Sequence, residues 1–343
     1  MMEARAVLHA LRGLRGYTRS PYVWAASLLL VASPIVFMKL GLPFYANMVF
    51  LALMYGIAAM AWNLMQGYTG LFSLGHAVFF GVGAYTTMIL AKYYGVTPWL
   101  GIWAAGVLAA AVGFLLGFPL FRLRSHWFTL ATIAVAEIFK LLFAHWGYVG
   151  GSAGLQMPIV GPDEQLYYLQ YPGPYIYVYV ALLVLLVELV VLYAVVNSKI
   201  GLYLQTIRED ELVAQTLGVD TFRYKMIAMV VSGFFTGLAG ALYAVRFRFV
   251  DPFAVFDLIT ISTYIAVAGI VGGIYTFIGP LVGAFIFVPA AEYVRATIVQ
   301  AFPRVFGLHV VIVGVILLVI SLFVPEGVVG YLQRRAGTVR SRG

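Results

Sequence analysis

The 343-residue sequence contains no cysteine, and only 10% of its residues are charged. The absence of cysteine excludes disulfide bonds and thiolate metal sites. Soluble domains carry about 25% charged residues, so this chain has too few charges to cover a water-exposed surface. The sequence also lacks the G-x-x-x-x-G-K-[ST] pattern of a phosphate-binding P-loop, and the alternating segments of about ten residues that are typical of membrane β-barrels.

Hydrophobic residues make up 63% of the sequence and recur in long runs along its whole length. Runs of this length are typical of transmembrane helices. The sequence therefore predicts an all-α, polytopic integral membrane protein with about ten transmembrane helices and glycine-broken segments in each half. The predicted spans are residues 22–40, 44–65, 76–92, 98–120, 127–146, 176–196, 225–245, 259–278, 280–297 and 306–324.

The positions of lysine and arginine predict how these helices are oriented. Most of the 21 basic residues fall in the N-terminal tail, around residues 122–124, in Ser198–Lys225 and in the C-terminal tail, whereas Gly147–Tyr175 contains none. Because basic residues favour the cytoplasmic side, both termini are predicted to be cytoplasmic and Gly147–Tyr175 extracytoplasmic. The net charge of +8 is thus a topology signal and does not indicate nucleic-acid binding. Arg246 and Arg248, near an outer helix end, fit this distribution least well.

Three regions follow from this pattern. Residues 1–21 form a basic segment with leucine and valine at helical spacing, which is typical of a helix in the membrane interface; a basic tail without a helix is the alternative. The first apolar run lacks a small-x-small cleavage site, so we expect no cleavable signal peptide. Residues 22–325 form the transmembrane domain, with a cytoplasmic loop at 198–225, and residues 326–343 form a basic cytoplasmic tail.

Glycines interrupt the apolar runs of the two halves in a comparable way. The segments Gly67–Tyr85 and Gly269–Phe285 share a G-[LI]-[FY]-[ST] core followed by G-A-[YF]. Paired breaks in two halves indicate a translocation path between repeats, although coincidence in a chain with 36 glycines is the alternative. The residues predicted to line this path are Ser73, Gly75, His76, Thr129, Thr132, Glu137, Gly272 and Gly273.

Few charged side chains and few histidines lie within the predicted spans. His76 is more typical of a hydrogen-bonded packing residue than of a substrate contact, and the remaining histidines are too scattered to predict a metal site. Glu188 has no evident partner, and snorkelling, interfacial and functional roles stay open for it. Two acid–base pairs spaced i,i+3 can each pair on one helix face, namely Glu137 with Lys140 and Glu292 with Arg295.

The segment Ser198–Lys225 differs from the rest of the chain, because eight of its 28 residues are charged. Acidic residues at 209–211, apolar Val213 and Leu217 at i,i+4, and Gly218 directly afterwards predict a short capped helix. A helix of about two turns cannot span a bilayer and is marginal alone in water. We therefore expect it to pack against the membrane ends of its own chain or against a partner; an ordinary solvated loop helix is the alternative.

The sequence of Gly201–Ala244, GLYLQTIREDELVAQTLGVDTFRYKMIAMVVSGFFTGLAGALYA, resembles the branched-chain amino acid ABC transporter permease family of the LivM type. The motifs IREDE and GLAGAL carry the resemblance, and four further blocks agree in order: GYTGLFSLGHAVFFGVGAYTT, WFTLATIAVAEI, GGSAGL, and DPF followed by GGIYTFIGPLVGAF. Two positions depart from the family pattern. Thr206 stands where alanine is usual, and residues 274–276 replace a G-x-[GT] turn, which leaves a different gate or substrate open.

The resemblance implies that the charged segment contains a coupling helix, which fits a groove on a separate ATPase subunit. Val213, Ala214 and Leu217 would supply its apolar contacts. Arg208, Glu209 and Asp210 would position it. The full set of residues that the resemblance assigns to this coupling is Arg208, Glu209, Asp210, Glu211, Val213, Ala214, Leu217 and Gly218.

The resemblance also implies the partners and the solute. The partners are ABC ATPase subunits that bind ATP and Mg²⁺, a second permease subunit, an extracytoplasmic solute-binding protein and membrane lipid. This chain itself would bind no cofactor and catalyse no reaction, and it would lie in the prokaryotic cytoplasmic membrane. Branched-chain or related hydrophobic amino acids are the implied solute, with urea or short amides as the alternative. An autonomous secondary carrier or channel is the rival from another functional class.

Overall fold

The computed structural model describes residues 21–123, 126–301 and 327–335, together with the single positions 311 and 314. The predicted interfacial segment at 1–21 lies outside the described residues except for its last position. Nearly all of the predicted span at 306–324 and much of the C-terminal tail also lie outside them.

Helices account for most of the described chain, and several begin with proline, whose fixed φ and missing N–H suit the first helical turn. The long helices are α1 (Pro21–Lys39), α2 (Pro43–Thr69), α3 (His76–Tyr94), α4 (Pro98–Leu120), α5 (His126–His145), α7 (Tyr175–Val196), α10 (Thr221–Phe247) and α13 (Gly279–Ala301). The shorter ones are α6 (Gln165–Tyr168), α8 (Lys199–Glu209), α9 (Glu211–Thr216), α11 (Pro252–Val255), a π-helix (Leu258–Thr263), α12 (Tyr264–Gly272) and α14 (Gly327–Arg335).

Seven helical segments of the described chain are long and apolar enough to cross a membrane: Pro43–Thr69, Pro98–Leu120, His126–His145, Tyr175–Val196, Thr221–Phe247, Pro252–Gly272 and Gly279–Ile298. Helix α1 adds the shorter apolar stretch Leu30–Lys39, and α3 is not among the seven. Each predicted span within the described residues overlaps a helix, although 259–278 runs past the helix end at Gly272. The all-α polytopic membrane class is therefore confirmed, whereas the predicted number of about ten spans is not.

Helices α2, α3 and α10 form the centre of the bundle, and α10 packs along α2, α3 and α4. Glycines make these contacts close. A Cβ atom on Gly240 would lie 1.9 Å from the carbonyl oxygen of Phe80, and one on Gly83 would lie 2.0 Å from that of Gly237. Helices in a membrane associate through such small residues because they let the two backbones approach.

The segment between α5 and α7 closes one end of the bundle. Its short strand β1 (Leu155–Gln156) pairs antiparallel with β2 (Phe249–Val250), which follows α10. Arg248 adopts a left-handed conformation with φ 57° and donates from Nη2 to the carbonyl oxygen of Tyr171 at 2.7 Å. This segment is thus packed onto the helix ends, at the end of the bundle opposite to α8 and α9.

Two six-residue breaks interrupt the helices near α8 and α9. The first break, residues 70–75, joins α2 to α3, and the second break, residues 273–278, joins α12 to α13. Gly70 and Gly273 begin them with φ of +76° and +117°, values that glycine adopts without steric cost. The second break starts at 273, so the predicted span 259–278 ends six residues too late.

Candidate functional site

The charged segment folds as two helices, α8 and α9, rather than as one. The hydroxyl of Ser198 caps the start of α8 by accepting from Ile200 N at 3.1 Å. Asp210 separates the helices and caps α9, because its Oδ1 accepts from Leu212 N at 2.8 Å and from Val213 N at 3.1 Å. The predicted short helix corresponds to α9, and Gly218 follows it with φ +81°. The sequence prediction missed α8, although Ser198 before a helical run was a usable start signal.

Helix α9 presents apolar side chains to its surroundings. Leu212, Val213 and Leu217 are 60%, 51% and 71% exposed, whereas Ala214 is completely buried against its own chain. Ala214 was predicted to contact a partner, but α9 would have to leave the bundle for it to do so. Leu212 takes its place on the exposed face, and the sequence analysis did not single it out.

An ion pair between a buried lysine and a partly exposed glutamate joins α9 to α10. Lys225 Nζ lies 2.5 Å from Glu211 Oε1, and the lysine side chain is only 4% exposed. Thr221 Oγ1 also donates to Glu211 Oε1, at 3.3 Å, and accepts from Gln215 Nε2 at 3.1 Å. Glu211 was predicted as a coupling residue, and the structure gives it a specific contact with the long central helix.

Arg208 joins the charged segment to the end of α2 and to the second break. Its Nη1 donates to the carbonyl oxygen of Gly67 at 2.8 Å, in the last turn of α2. Its guanidinium carbon lies 5.1 Å from the ring centroid of Tyr275, in the second break. Its Nη2 pairs with Glu209 Oε1 at 2.8 Å. The predicted coupling residues therefore form one cluster at this end of the bundle.

Several residues predicted for the translocation path meet at the first break. Thr129 Oγ1 donates to the carbonyl oxygen of Phe72 at 2.7 Å. Thr132 Oγ1 accepts from Leu74 N at 3.2 Å and donates to the carbonyl oxygen of Thr129 at 2.7 Å. A small pocket lies here, lined by Ser73, Gly75, Val78, Phe79, Leu116, Leu120, Thr132, Val135 and Met229.

His76 is buried beside this pocket and both of its ring nitrogens have partners. Nδ1 lies 3.1 Å from Ser73 Oγ, and Nε2 lies 2.8 Å from Ser232 Oγ on α10. The imidazole thereby ties the start of α3 to α10. This arrangement agrees with the packing role that the sequence favoured for His76.

The other predicted path residues lie elsewhere. A Cβ atom on Gly272 would lie 1.7 Å from the carbonyl oxygen of Gly279, so α12 and α13 touch backbone to backbone at the second break. Gly273 packs against Gly327 of α14 in the same way. Glu137 is half exposed on α5 and is not among the residues that line the pocket at the first break.

Residues 44–321 match the protein family described as the branched-chain amino acid transport system / permease component. The chain belongs to this permease family. The permease is 31% identical over 268 residues to the high-affinity branched-chain amino acid transport system permease protein LivM of Escherichia coli (strain K12). It is 30% identical over 271 residues to the protein of the same name from Salmonella typhimurium.

Each of these two alignments covers 71% of the permease but 62% of the relative, so the chain spans less than two thirds of the length of these relatives. The permease is also 27% identical over 259 residues to the probable branched-chain amino acid transport permease protein LivH of Methanocaldococcus jannaschii, which covers 73% of the chain and 80% of the relative. No solved structure matches the permease.

The other charged groups that the sequence analysis singled out within the spans divide into two kinds. Glu188, on α7, is completely buried, and no hydrogen-bond partner of either carboxyl oxygen lies among the described residues. Burial excludes snorkelling of this side chain in the structure. Both predicted i,i+3 ion pairs form, each with a separation of 2.6 Å: Lys140 with Glu137, and Arg295 with Glu292.

Proposed function

We propose that the chain is the membrane-spanning permease subunit of an ABC importer, in which α9 is the coupling helix. The carrying observation is the exposed apolar face of α9 (Leu212, Val213 and Leu217), held on α10 by the ion pair of Glu211 with Lys225. Apolar side chains on a short, polar-capped helix outside the spans are typical of a docking surface. The family match supports the same assignment.

A separate ATPase subunit supplies the energy in this proposal. A partner can shift the permease between conformations only if its contacts with the two conformations differ. Helix α9 suits this task because it is only six residues long and is attached to the bundle by specific side-chain contacts. A change in how the ATPase holds Leu212, Val213 and Leu217 would thus reach α10 through Glu211 and Lys225.

The proposed solutes are branched-chain or related hydrophobic amino acids delivered by an extracytoplasmic binding protein. The names of the relatives from Escherichia coli and Salmonella typhimurium support this solute class. We further propose a prokaryotic cytoplasmic membrane location, with α9 on the cytoplasmic side and the segment between α5 and α7 on the outer side. The distribution of lysine and arginine supports this orientation.

The test is uptake by proteoliposomes that contain the permease with its second permease subunit, ATPase and binding protein. The double variant Val213→Asp/Leu217→Asp should insert normally but lose uptake and co-purification of the ATPase, because charge replaces the apolar contact. Leu202→Asp is the matched control, since Leu202 is an equally exposed leucine on α8 rather than on α9. If the double variant transports like the wild type, α9 is not the coupling element. Uptake by the wild type without ATPase would favour the secondary carrier.

A further inference from the structure

Arg208 occupies a position between α9 and the two breaks. It lies in the last turn of α8, and only Glu209 separates it from Asp210, the residue that caps α9. Because the chain between Arg208 and α9 is so short, a displacement of α9 must displace the Arg208 backbone as well. The contacts of the Arg208 guanidinium therefore determine which other segments are displaced with it.

The first contact of Arg208 is with the end of α2. Gly67 belongs to the last four residues of α2, whose carbonyl groups lack the regular intrahelical partner. Arg208 Nη1 supplies a charged donor to Gly67 O at 2.8 Å, and a cation is favourable at this end of a helix. Gly70 leaves room for the arginine stem, since a Cβ atom there would lie 3.2 Å from Arg208 Cγ.

The second contact of Arg208 is with the second break. The guanidinium lies over the ring of Tyr275 at 5.1 Å, within the range of a cation–π interaction. Tyr275 is 63% exposed, so its ring has little role in the packing of the bundle. The contact with Arg208 accounts for its position, and Tyr275 lies in the 274–276 stretch that departs from the usual family pattern.

The end of α2 and the second break also touch each other directly. A Cβ atom on Gly67 would lie 2.1 Å from the carbonyl oxygen of Ile274, and Asn63 Nδ2 donates to the carbonyl oxygen of Thr276 at 3.1 Å. These two segments therefore form one packed unit. Arg208 extends from α8 and contacts both segments of this unit.

We propose that Arg208 is a positioning residue that transmits displacement of α9 to the end of α2 and to the second break, through Gly67 O on one side and the ring of Tyr275 on the other. The origin of the displacement rests on the proposed function. Arg208 and Glu211 then divide the task, because Glu211 connects α9 to α10 whereas Arg208 connects it to α2 and to the 273–278 break. Both halves of the chain thereby respond to one short helix.

The experiment measures uptake per ATP hydrolysed in the reconstituted complex, using only variants that still co-purify with the ATPase. Arg208→Lys keeps the positive charge. It loses the planar guanidinium, which makes the hydrogen bond to Gly67 O and the contact with the Tyr275 ring at the same time. We expect it to lower uptake per ATP by about tenfold, within the usual range of coupling between sites. Arg223→Lys is the matched control, because Arg223 is an exposed arginine on α10.

Tyr275 variants separate transmission from simple stabilisation. Tyr275→Leu removes the aromatic face and should lower uptake per ATP severalfold, whereas Tyr275→Phe keeps the face and should restore it. The double variant Arg208→Lys/Tyr275→Leu should be no worse than Arg208→Lys alone, since residues that act through one contact are not additive.

Three results would overturn the proposal: unchanged uptake per ATP in Arg208→Lys, an equal loss in Tyr275→Phe and Tyr275→Leu, or loss of the ATPase from the Arg208→Lys complex. The last result would assign Arg208 to folding or assembly. Failure of the proposed function is recognised separately, because it appears as retained co-purification and uptake in Val213→Asp/Leu217→Asp.

Discussion

Lys225 Nζ lies 2.5 Å from Glu211 Oε1, and the two side chains differ strongly in exposure. The lysine is 4% exposed, whereas the glutamate is 39% exposed. A buried charge is costly when its partner is removed, while an exposed one regains water. Loss of the ion pair should therefore cost more free energy when Lys225 remains than when Glu211 remains. Single variants of the two residues should differ in stability.

Glu211→Gln should destabilise the protein more than Lys225→Met does. Removing the carboxylate leaves the buried Lys225 ammonium without its counter-charge, whereas removing the lysine leaves a half-exposed Glu211 in contact with water. Loss of one partner of a fully buried pair costs about 3–5 kcal/mol, and we expect less here because Glu211 is partly solvated. Thermal unfolding in detergent measures the difference. Recovery in the double variant Glu211→Gln/Lys225→Met is expected, and its absence would contradict the asymmetry.

The proposed orientation can be tested with single cysteines, because the natural chain contains none. Leu217→Cys lies on the exposed face of α9, and Leu166→Cys lies on the exposed surface of the opposite end. A membrane-impermeant maleimide added to intact cells should label Leu166→Cys, and it should label Leu217→Cys only in inverted vesicles. The unmodified chain is the blank. Labelling of both positions from one side would refute this arrangement.

Gly83→Ala and Gly240→Ala should each destabilise the helix bundle. The added methyl group would lie about 2 Å from a backbone carbonyl oxygen on the facing helix, so the helices must move apart. Overpacking of this kind costs about 1–3 kcal/mol, and sometimes more. Gly113→Ala is the control within a helix, because its nearest neighbour would be 3.3 Å away. Equal unfolding temperatures for all three variants would contradict the close packing of α3 with α10.

Glu188→Leu should raise the unfolding temperature without loss of uptake. The carboxyl group is buried, with no hydrogen-bond partner among the described residues, and an unsatisfied buried polar group costs about 1–3 kcal/mol. Leucine has a similar volume and no polar atom. Glu188→Gln, which keeps a polar group, is the control and should not stabilise. Loss of uptake in a well-folded Glu188→Leu variant would instead give this carboxyl group a role in transport.

The sequence predicted the existence of the helices well because long apolar runs depend on the bilayer and not on the neighbouring helices. Predictions that depend on neighbours were less complete. A helix as short as α9 has too few residues to define a period. The sequence therefore assigned a partner contact to Ala214, which is buried, and did not single out Leu212, which is exposed. The second partner of His76, Ser232, lies 156 residues away, and no local pattern could identify it.

The coupling cluster shows the same limit. The acidic residues, Asp210 as a cap and Gly218 beyond the end were all readable from sequence, because capping is local. The contact of Arg208 with Tyr275 was not readable, since it depends on how the second break folds back to the end of α2. The glycines of Gly269–Phe285 predicted a break in this region, but the predicted span 259–278 ran past the residue where the helix ends, Gly272.

The position of α3 also has a consequence for biosynthesis. This helix is not among the seven described segments that are long and apolar enough to cross a membrane, and its Gly83 packs against Gly237 of α10, more than 150 residues later in the chain. A ribosome must therefore complete α10 before α3 has all of its neighbours. Until then α3 depends on α4, which packs against it, or on the insertion machinery, to keep it away from lipid. Chains arrested before residue 221 should remain attached to that machinery, and full-length chains should be released from it.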